Sequence, residues 1–297
     1  MTLNNKTVAL IQVHIAVFLY GFTAILGHLI QLPAVNLVWW RVLITCISLL
    51  VFIQWRKSLK TIPPAYLKKY IFIGCLVGLH WICFYGAIKL SNASIALICM
   101  ATTSFFTAFI EPVALRKKFS RLEITLGMLI IPGMALVVNS TEWHHRQGIV
   151  VGLLAALLAA WFAVLNKKYI SNADPYSITF TELGSAWLML SIIITGLHIY
   201  EPQNSAFMPP ALSDWLYLTV LSLLCTTLAY VLSLKALRHI SAFNSNLIIN
   251  LEPVYGILLA AMILKEHKSL NIQFYSGAVI IIAAVLAYPF LVRRKIK

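Results

Sequence analysis

Two glutamate–proline pairs, Glu111-Pro112 and Glu252-Pro253, lie inside long apolar runs of the sequence. A carboxylate in a bilayer interior costs roughly 2.5–3.5 kcal/mol on insertion scales, so such a residue is a functional candidate by default. Glu252 sits near the middle of its run and is a candidate to bind and release a proton; Glu111 lies nearer one end of its own run. The following proline removes a backbone hydrogen bond and bends a helix, freeing the carbonyls of Ala108 and Ile249. Freed carbonyls persist in lipid only against protein or a wet cavity. Pro112 and Pro253 are therefore expected as helix kinks. Arg41 is the one cation well inside a run, beside Trp39 and Trp40. It either snorkels towards an interfacial aromatic belt or is a buried partner for Glu252 or for a substrate carboxylate. His14 is read as a helix-packing histidine, with a proton relay as the alternative.

Uncharged polar residues give a second set. Asn246 and Asn250 share a helical face that continues towards Pro253, and with Thr102 and Thr103 they are candidates to line a polar cavity. Trp81, Tyr85, Phe162 and Tyr230 are candidate aromatic walls, or ordinary lipid and core contacts. Gly148, Gly152, Ala156 and Ala160 recur every four residues, as do Gly74 and Gly78, a spacing that lets helices approach closely. His144-His145 is isolated, and the five cysteines show neither CxxC nor metal-ligand spacing. No catalytic signature or close acid pair appears. No enzyme activity, cofactor or metal is expected.

The elements that must hold these residues follow from composition. Of 297 residues, 61% are hydrophobic and 11% charged, with a mean hydropathy of +0.87. A soluble domain is roughly 45–50% apolar and about 25% charged, so the chain reads as an all-α integral membrane protein. A helix needs roughly 20 apolar residues to cross the hydrocarbon layer. Ten runs qualify: 7–30, 34–53, 70–88, 92–115, 122–139, 148–166, 176–199, 214–234, 241–263 and 270–292. The net charge of +14 falls in the loops. With both termini cytoplasmic, eighteen of the 23 Lys and Arg fall in cytoplasmic segments and four (Lys89, Arg146, Lys265, Lys268) in the opposite loops, as the positive-inside rule requires. Ten transmembrane helices with both termini cytoplasmic are expected. That charge serves a membrane surface, not nucleic acid.

The halves echo one another faintly. Pro33 answers Pro175, and at an offset of 149 Leu115 and Ser120 answer Leu264 and Ser269. Five spans per half is an odd number, so the second copy enters from the opposite side, giving two inverted five-helix repeats, 1–140 and 147–293. The stretch from Asn246 through Glu252-Pro253 and Gly256 to Leu264-Lys265-Glu266, preceded by Leu234 to Ala242, resembles the EamA branch of the drug/metabolite transporter superfamily. In the first half Ser104 stands where that family often has Pro, and Lys117 where it often has Glu. The resemblance implies a ten-helix, exporter-like carrier of small metabolites without ATPase machinery, its solute site lined mainly by spans 3, 4, 8 and 9. Efflux of an amino acid or similar solute by alternating access, with optional proton coupling through Glu252, Glu111, Arg41 or His14, is the expectation. A membrane-embedded lipid-modifying enzyme and a channel are the alternatives. The expected partners are a small-molecule solute and the lipid bilayer of the cytoplasmic membrane, with a homodimer as an open alternative to a monomer.

Overall fold

In the computed structural model, residues 4–52, 62–200, 207–241, 245, 248–249, 251–268 and 270–295 are described, and they contain helices and connecting turns but no strand. The helices are α1 (Asn5–Leu29), α2 (Ala34–Phe52), α3 (Pro64–Leu90), α4 (Ala93–Met100), α5 (Thr103–Leu115), α6 (Arg121–Ser140), α7 (Arg146–Tyr169), α8 (Pro175–Tyr200), α9 (Leu212–Ser222), α10 (Ala229–Leu237), α11 (Glu252–Leu259) and α12 (Ile272–Lys295). Their starts are written in local chemistry. Asn92 Oδ1 accepts from the Ile95 amide to cap α4, Ser120 caps α6 through the Glu123 amide, and Pro64 occupies the first turn of α3.

Eight helical units are long and apolar enough to cross a membrane: Asn5–Leu29, Ala34–Val51, Pro64–Leu90, Ala93–Leu115, Arg121–Ser140, Trp143–Asn172, Pro175–Ile199 and Leu212–Leu237. Glu252–Leu264 and Ile272–Ala284 are apolar but shorter over the described residues. Large hydrophobics such as Phe18, Val51, Ile192, Leu216, Met262 and Val279 point outward. With no polar coat over them, this exterior suits hydrocarbon rather than water.

Three elements depart from the sequence reading. The run 92–115 breaks between α4 and α5, because the hydroxyls of Thr102 and Thr103 bond back to the carbonyls of Cys99 (2.7 Å) and Met100 (2.6 Å) and compete with the helical ladder. Between α9 and α10 the chain widens into a π turn over Leu223–Leu228, where Thr226 and Thr227 hydroxyls donate five residues back to Leu221 and Ser222 carbonyls. The run 241–263 is also interrupted next to Pro253: Ile248 and Ile249 are helical, Leu251 lies in a turn, and α11 starts at Glu252 with Pro253 in its first turn. Pro112 lies inside α5.

Small residues set the close crossings. A methyl on Gly152 would lie 2.9 Å from Cys99 Cβ, and one on Gly78 2.8 Å from the Met189 methyl. The packed pairs follow a rule. α3 lies on α7 as α10 lies on α1; α5 lies on α7 as α11 lies on α1; α6 pairs with α12 and α2 with α8. Exchanging each first-half helix for its second-half counterpart reproduces the same set of pairs.

Candidate functional site

Arg41 reaches the site from the middle of α2, and it does not snorkel: only 2% of the residue is exposed. Its guanidinium donates from Nε to Thr226 Oγ1 and from Nη1 to the Tyr85 hydroxyl, both at 2.6 Å, and its carbon lies 4.1 Å above the Trp81 ring. A buried cation is tolerated where its donors are used and an aromatic face replaces some lost hydration. The π turn is what aims Thr226 at Arg41. Two neighbouring bonds fasten the same crossing, Thr45 Oγ1 to the Ser222 carbonyl and Ser48 Oγ to Thr227 Oγ1.

Glu252, at the start of α11, faces the same space. Its carboxyl lies near Thr23 and within the field of Arg41, though no ion pair within 4 Å joins it to Arg41 among the described residues. Between them is a cavity of about 110 Å³. Arg41, Glu252, Thr23, Tyr20 and Ser233 supply polar atoms to its wall, and Trp81, Phe84, Phe162 and Tyr230 supply ring faces. Tyr20 and Ser233 share a 3.1 Å hydrogen bond across the junction of α1 and α10. His80 also lines the cavity, its Nδ1 donating to the Ala155 carbonyl at 2.9 Å. Asn166 completes one corner, where its Nδ2 donates to Glu182 Oε2 and to the Tyr230 hydroxyl, each at 3.3 Å. An apolar and aromatic hollow with a few convergent polar groups is the usual form of a small-molecule site. Here its wall carries one cationic and one acidic side chain.

The structure thus gathers Arg41, Glu252, Trp81, Thr103, Phe162 and Tyr230 around one cavity. Tyr85 stands behind the wall as the acceptor for Arg41. Thr102 is buried in the break between α4 and α5, its hydroxyl spent on Cys99. Glu111 is away from the cavity, where its Oε1 takes a 3.0 Å salt bridge from Lys117. His14 is exposed on the outer face of α1. Asn246 and Asn250 lie outside the described residues. Sequence reasoning missed Tyr20, Thr23, His80, Asn166 and Ser233 at the cavity and Glu182 behind it. The available signal was the plain one of a polar residue inside an apolar run, which His80 and Glu182 satisfy, whereas Asn166 closes its run beside Lys167. Among the described residues no group of three or more His, Cys, Asp and Glu could hold a metal ion.

The glutamate of the Leu264-Lys265-Glu266 stretch is structural. Its carboxylate accepts from the Ala93 and Ser94 amides at 3.0 Å and from Ser94 Oγ at 2.6 Å, neutralising the N-terminus of α4.

A multi-helix bundle with an apolar exterior and an aromatic cavity carrying a few polar groups has the form of a multi-pass membrane transporter. Residues 7–139 and 146–288 each match the family described as "EamA-like transporter family", and the chain belongs to that family, with its two-repeat architecture. It is 23% identical over 265 residues to the uncharacterized transporter YxxF of Bacillus subtilis (strain 168), covering 86% of this chain and 82% of that one. An uncharacterized transporter of Archaeoglobus fulgidus is 24% identical over 293 residues, 95% of this chain and 97% of the other. The pseudopaline exporter CntI of Pseudomonas aeruginosa (strain PAO1) is 23% identical over 212 residues, 71% of each chain. A solved crystal structure superposes with a TM-score of 0.71 at 12% identity, over 96% of this chain and 98% of the other, a likeness of fold.

Proposed function

We propose that the protein is a secondary carrier that exports a small amino-acid-like solute across the cytoplasmic membrane by alternating access. Ten spans, with both termini cytoplasmic, would form two inverted five-helix units, 1–140 and 147–293. The exchange symmetry of the packed helix pairs supports that arrangement, and so does the excess of Lys and Arg on one set of loops. The export direction is supported by the P. aeruginosa relative, which is named as an exporter.

The observation that carries the reading is that Arg41 and Glu252 stand in the wall of the same cavity. A guanidinium pairs with a carboxylate in charge-assisted bonds, and a carboxylate accepts from an ammonium. A solute carrying both groups would satisfy the two wall charges at once, while the rings of Trp81, Phe162 and Tyr230 cover its apolar part. Glu252 would then hold either the solute ammonium or a proton, and that competition couples solute exit to proton entry.

The test is a panel of radiolabelled amino acids offered to vesicles containing the purified chain and preloaded with the same unlabelled compound. Saturable accumulation of at least one amino acid supports the reading. Absence of counterflow for the whole panel rejects an amino-acid solute.

A further inference from the structure

Behind the cavity wall, Glu182 of α8 is wholly buried. The Tyr230 hydroxyl donates to its Oε2 at 2.6 Å and Asn166 Nδ2 donates to the same oxygen at 3.3 Å. Its Oε1, and Asn166 Oδ1 beside it, are buried with no hydrogen-bond partner among the described residues. No lysine, arginine or histidine among the described residues forms an ion pair with it. The groups facing it are few. From α3, Tyr70 has its hydroxyl committed to the Tyr169 carbonyl at 3.0 Å. From α10 comes Tyr230 and from α7 Asn166.

The cluster is therefore short of hydrogens, not of acceptors, and an ionised carboxylate there has no counter-ion. Buried charge without a partner is costly, and so is an orphaned acceptor. A hard divalent cation takes about six oxygen ligands, more than these three side chains offer. A proton fits the deficit.

We propose that Glu182 is a proton-binding site of the transport cycle, exchanging its proton with the central cavity through the hydroxyl of Tyr230. Tyr230 is suited to the relay because it lines the cavity on one side and bonds Glu182 on the other. An O–H bond of a hydronium ion in the cavity breaks as one forms at Tyr230 Oη. In the same step the original tyrosine O–H breaks as a new one forms at Glu182 Oε2. The hydronium is left as water, tyrosine stays neutral, and the carboxylate becomes a carboxylic acid. This site is distinct from Glu252, which faces the cavity directly.

The inference rests on the carrier reading, and the test separates the two because it needs no solute. The full chain is reconstituted into vesicles of phosphatidylethanolamine and phosphatidylglycerol, and infrared spectra are followed as bulk pH is raised in H₂O and in D₂O. The wild-type protein should show a carboxylic-acid carbonyl band that disappears on alkalinisation. Glu182→Gln should lack that band, Glu182→Asp should retain one at a changed frequency, and Glu252→Gln should keep it. In Tyr230→Phe the band should remain while its deuterium exchange slows at least tenfold. A full band in Glu182→Gln, or its loss in Glu252→Gln, overturns the assignment of the proton to Glu182. Exchange as fast in Tyr230→Phe as in wild type overturns the relay. Circular dichroism shows whether each variant is folded, and Glu182→Asp keeps the assignment testable if Glu182→Gln is not. Absent counterflow with this band present refutes the carrier reading alone.

Discussion

Arg116 and Lys265, 149 positions apart, share a left-handed backbone with φ of 53° and 58°, and each terminates a helical segment. They are the two non-glycine residues with positive φ among the described residues. A side chain in that conformation costs about 1–2 kcal/mol, so its recurrence at the same point of both halves is the mark of one unit used twice. The offset is the one that aligns Leu115 with Leu264 and Ser120 with Ser269. The position after each pair member differs in chemistry. Glu266 caps α4, whereas Lys117 turns back onto Glu111. The backbone of the repeat has outlasted its side chains.

The strain at these two turns is removable. Lys265→Gly and Arg116→Gly should each raise stability by roughly 0.5–1 kcal/mol, because glycine adopts positive φ without the Cβ penalty. Lys265→Val should lower it by a larger amount. Thermal unfolding of the detergent-solubilised protein reads both signs, and a loss in the glycine variants would show that the side chains matter more than the turn.

Glu266 should matter to stability more than its place in a short loop suggests. Glu266→Ala strips three acceptor contacts from the buried start of α4, and the expected cost is about 1–3 kcal/mol. Glu266→Gln should lie between the two. The same unfolding assay checks it, and an unchanged midpoint would mean that water replaces the cap.

The two glutamate–proline acids should separate functionally. Glu252→Gln is expected to abolish gradient-driven flux yet leave exchange partly intact, since its carboxyl faces the cavity. Glu111→Gln should leave driven flux within about twofold, because a pair with a half-exposed lysine is worth only about 0–1 kcal/mol. Flux in proteoliposomes under an imposed pH gradient, measured for both variants, distinguishes them. Equal loss in both would place Glu111 in the transport path.

Gly74 tests the coupling of packing to the site. A Cβ there would collide with the Glu182 carbonyl and Ser185 Oγ across the α3–α8 crossing. Gly74→Ala should part those helices, lowering stability by about 1–3 kcal/mol through overpacking and slowing transport by disturbing Glu182. An unaffected Gly74→Ala protein would show that this crossing is loose.

Much of the scaffold was legible. Apolar runs located most of the described helices to within a few residues, since helix length is set by the layer it must cross; α7 is Arg146–Tyr169 against the expected 148–166, whereas α3 begins at Pro64, six residues before the expected 70. What escaped was local. The break after Met100 and the π turn at Leu223–Leu228 come from hydroxyls competing for backbone carbonyls, a choice that apolar periodicity does not register. Arg41 was legible as a candidate, but its burial was not, because its acceptors Thr226 and Tyr85 come from distant parts of the chain. Glu182 escaped because its partners, Tyr230 and Asn166, lie on two other helices.

The central claim is that solute binds at the cavity charge supplied by Arg41. It is tested most directly by counterflow of a labelled amino acid in vesicles holding Arg41→Lys. A lysine cannot donate to both Thr226 and Tyr85 in the planar geometry of a guanidinium while lying over Trp81. Losing charge-assisted bonds worth about 1.5–3 kcal/mol predicts a fall of at least about tenfold, with helical content unchanged. Counterflow equal to that of the wild-type protein would contradict the account.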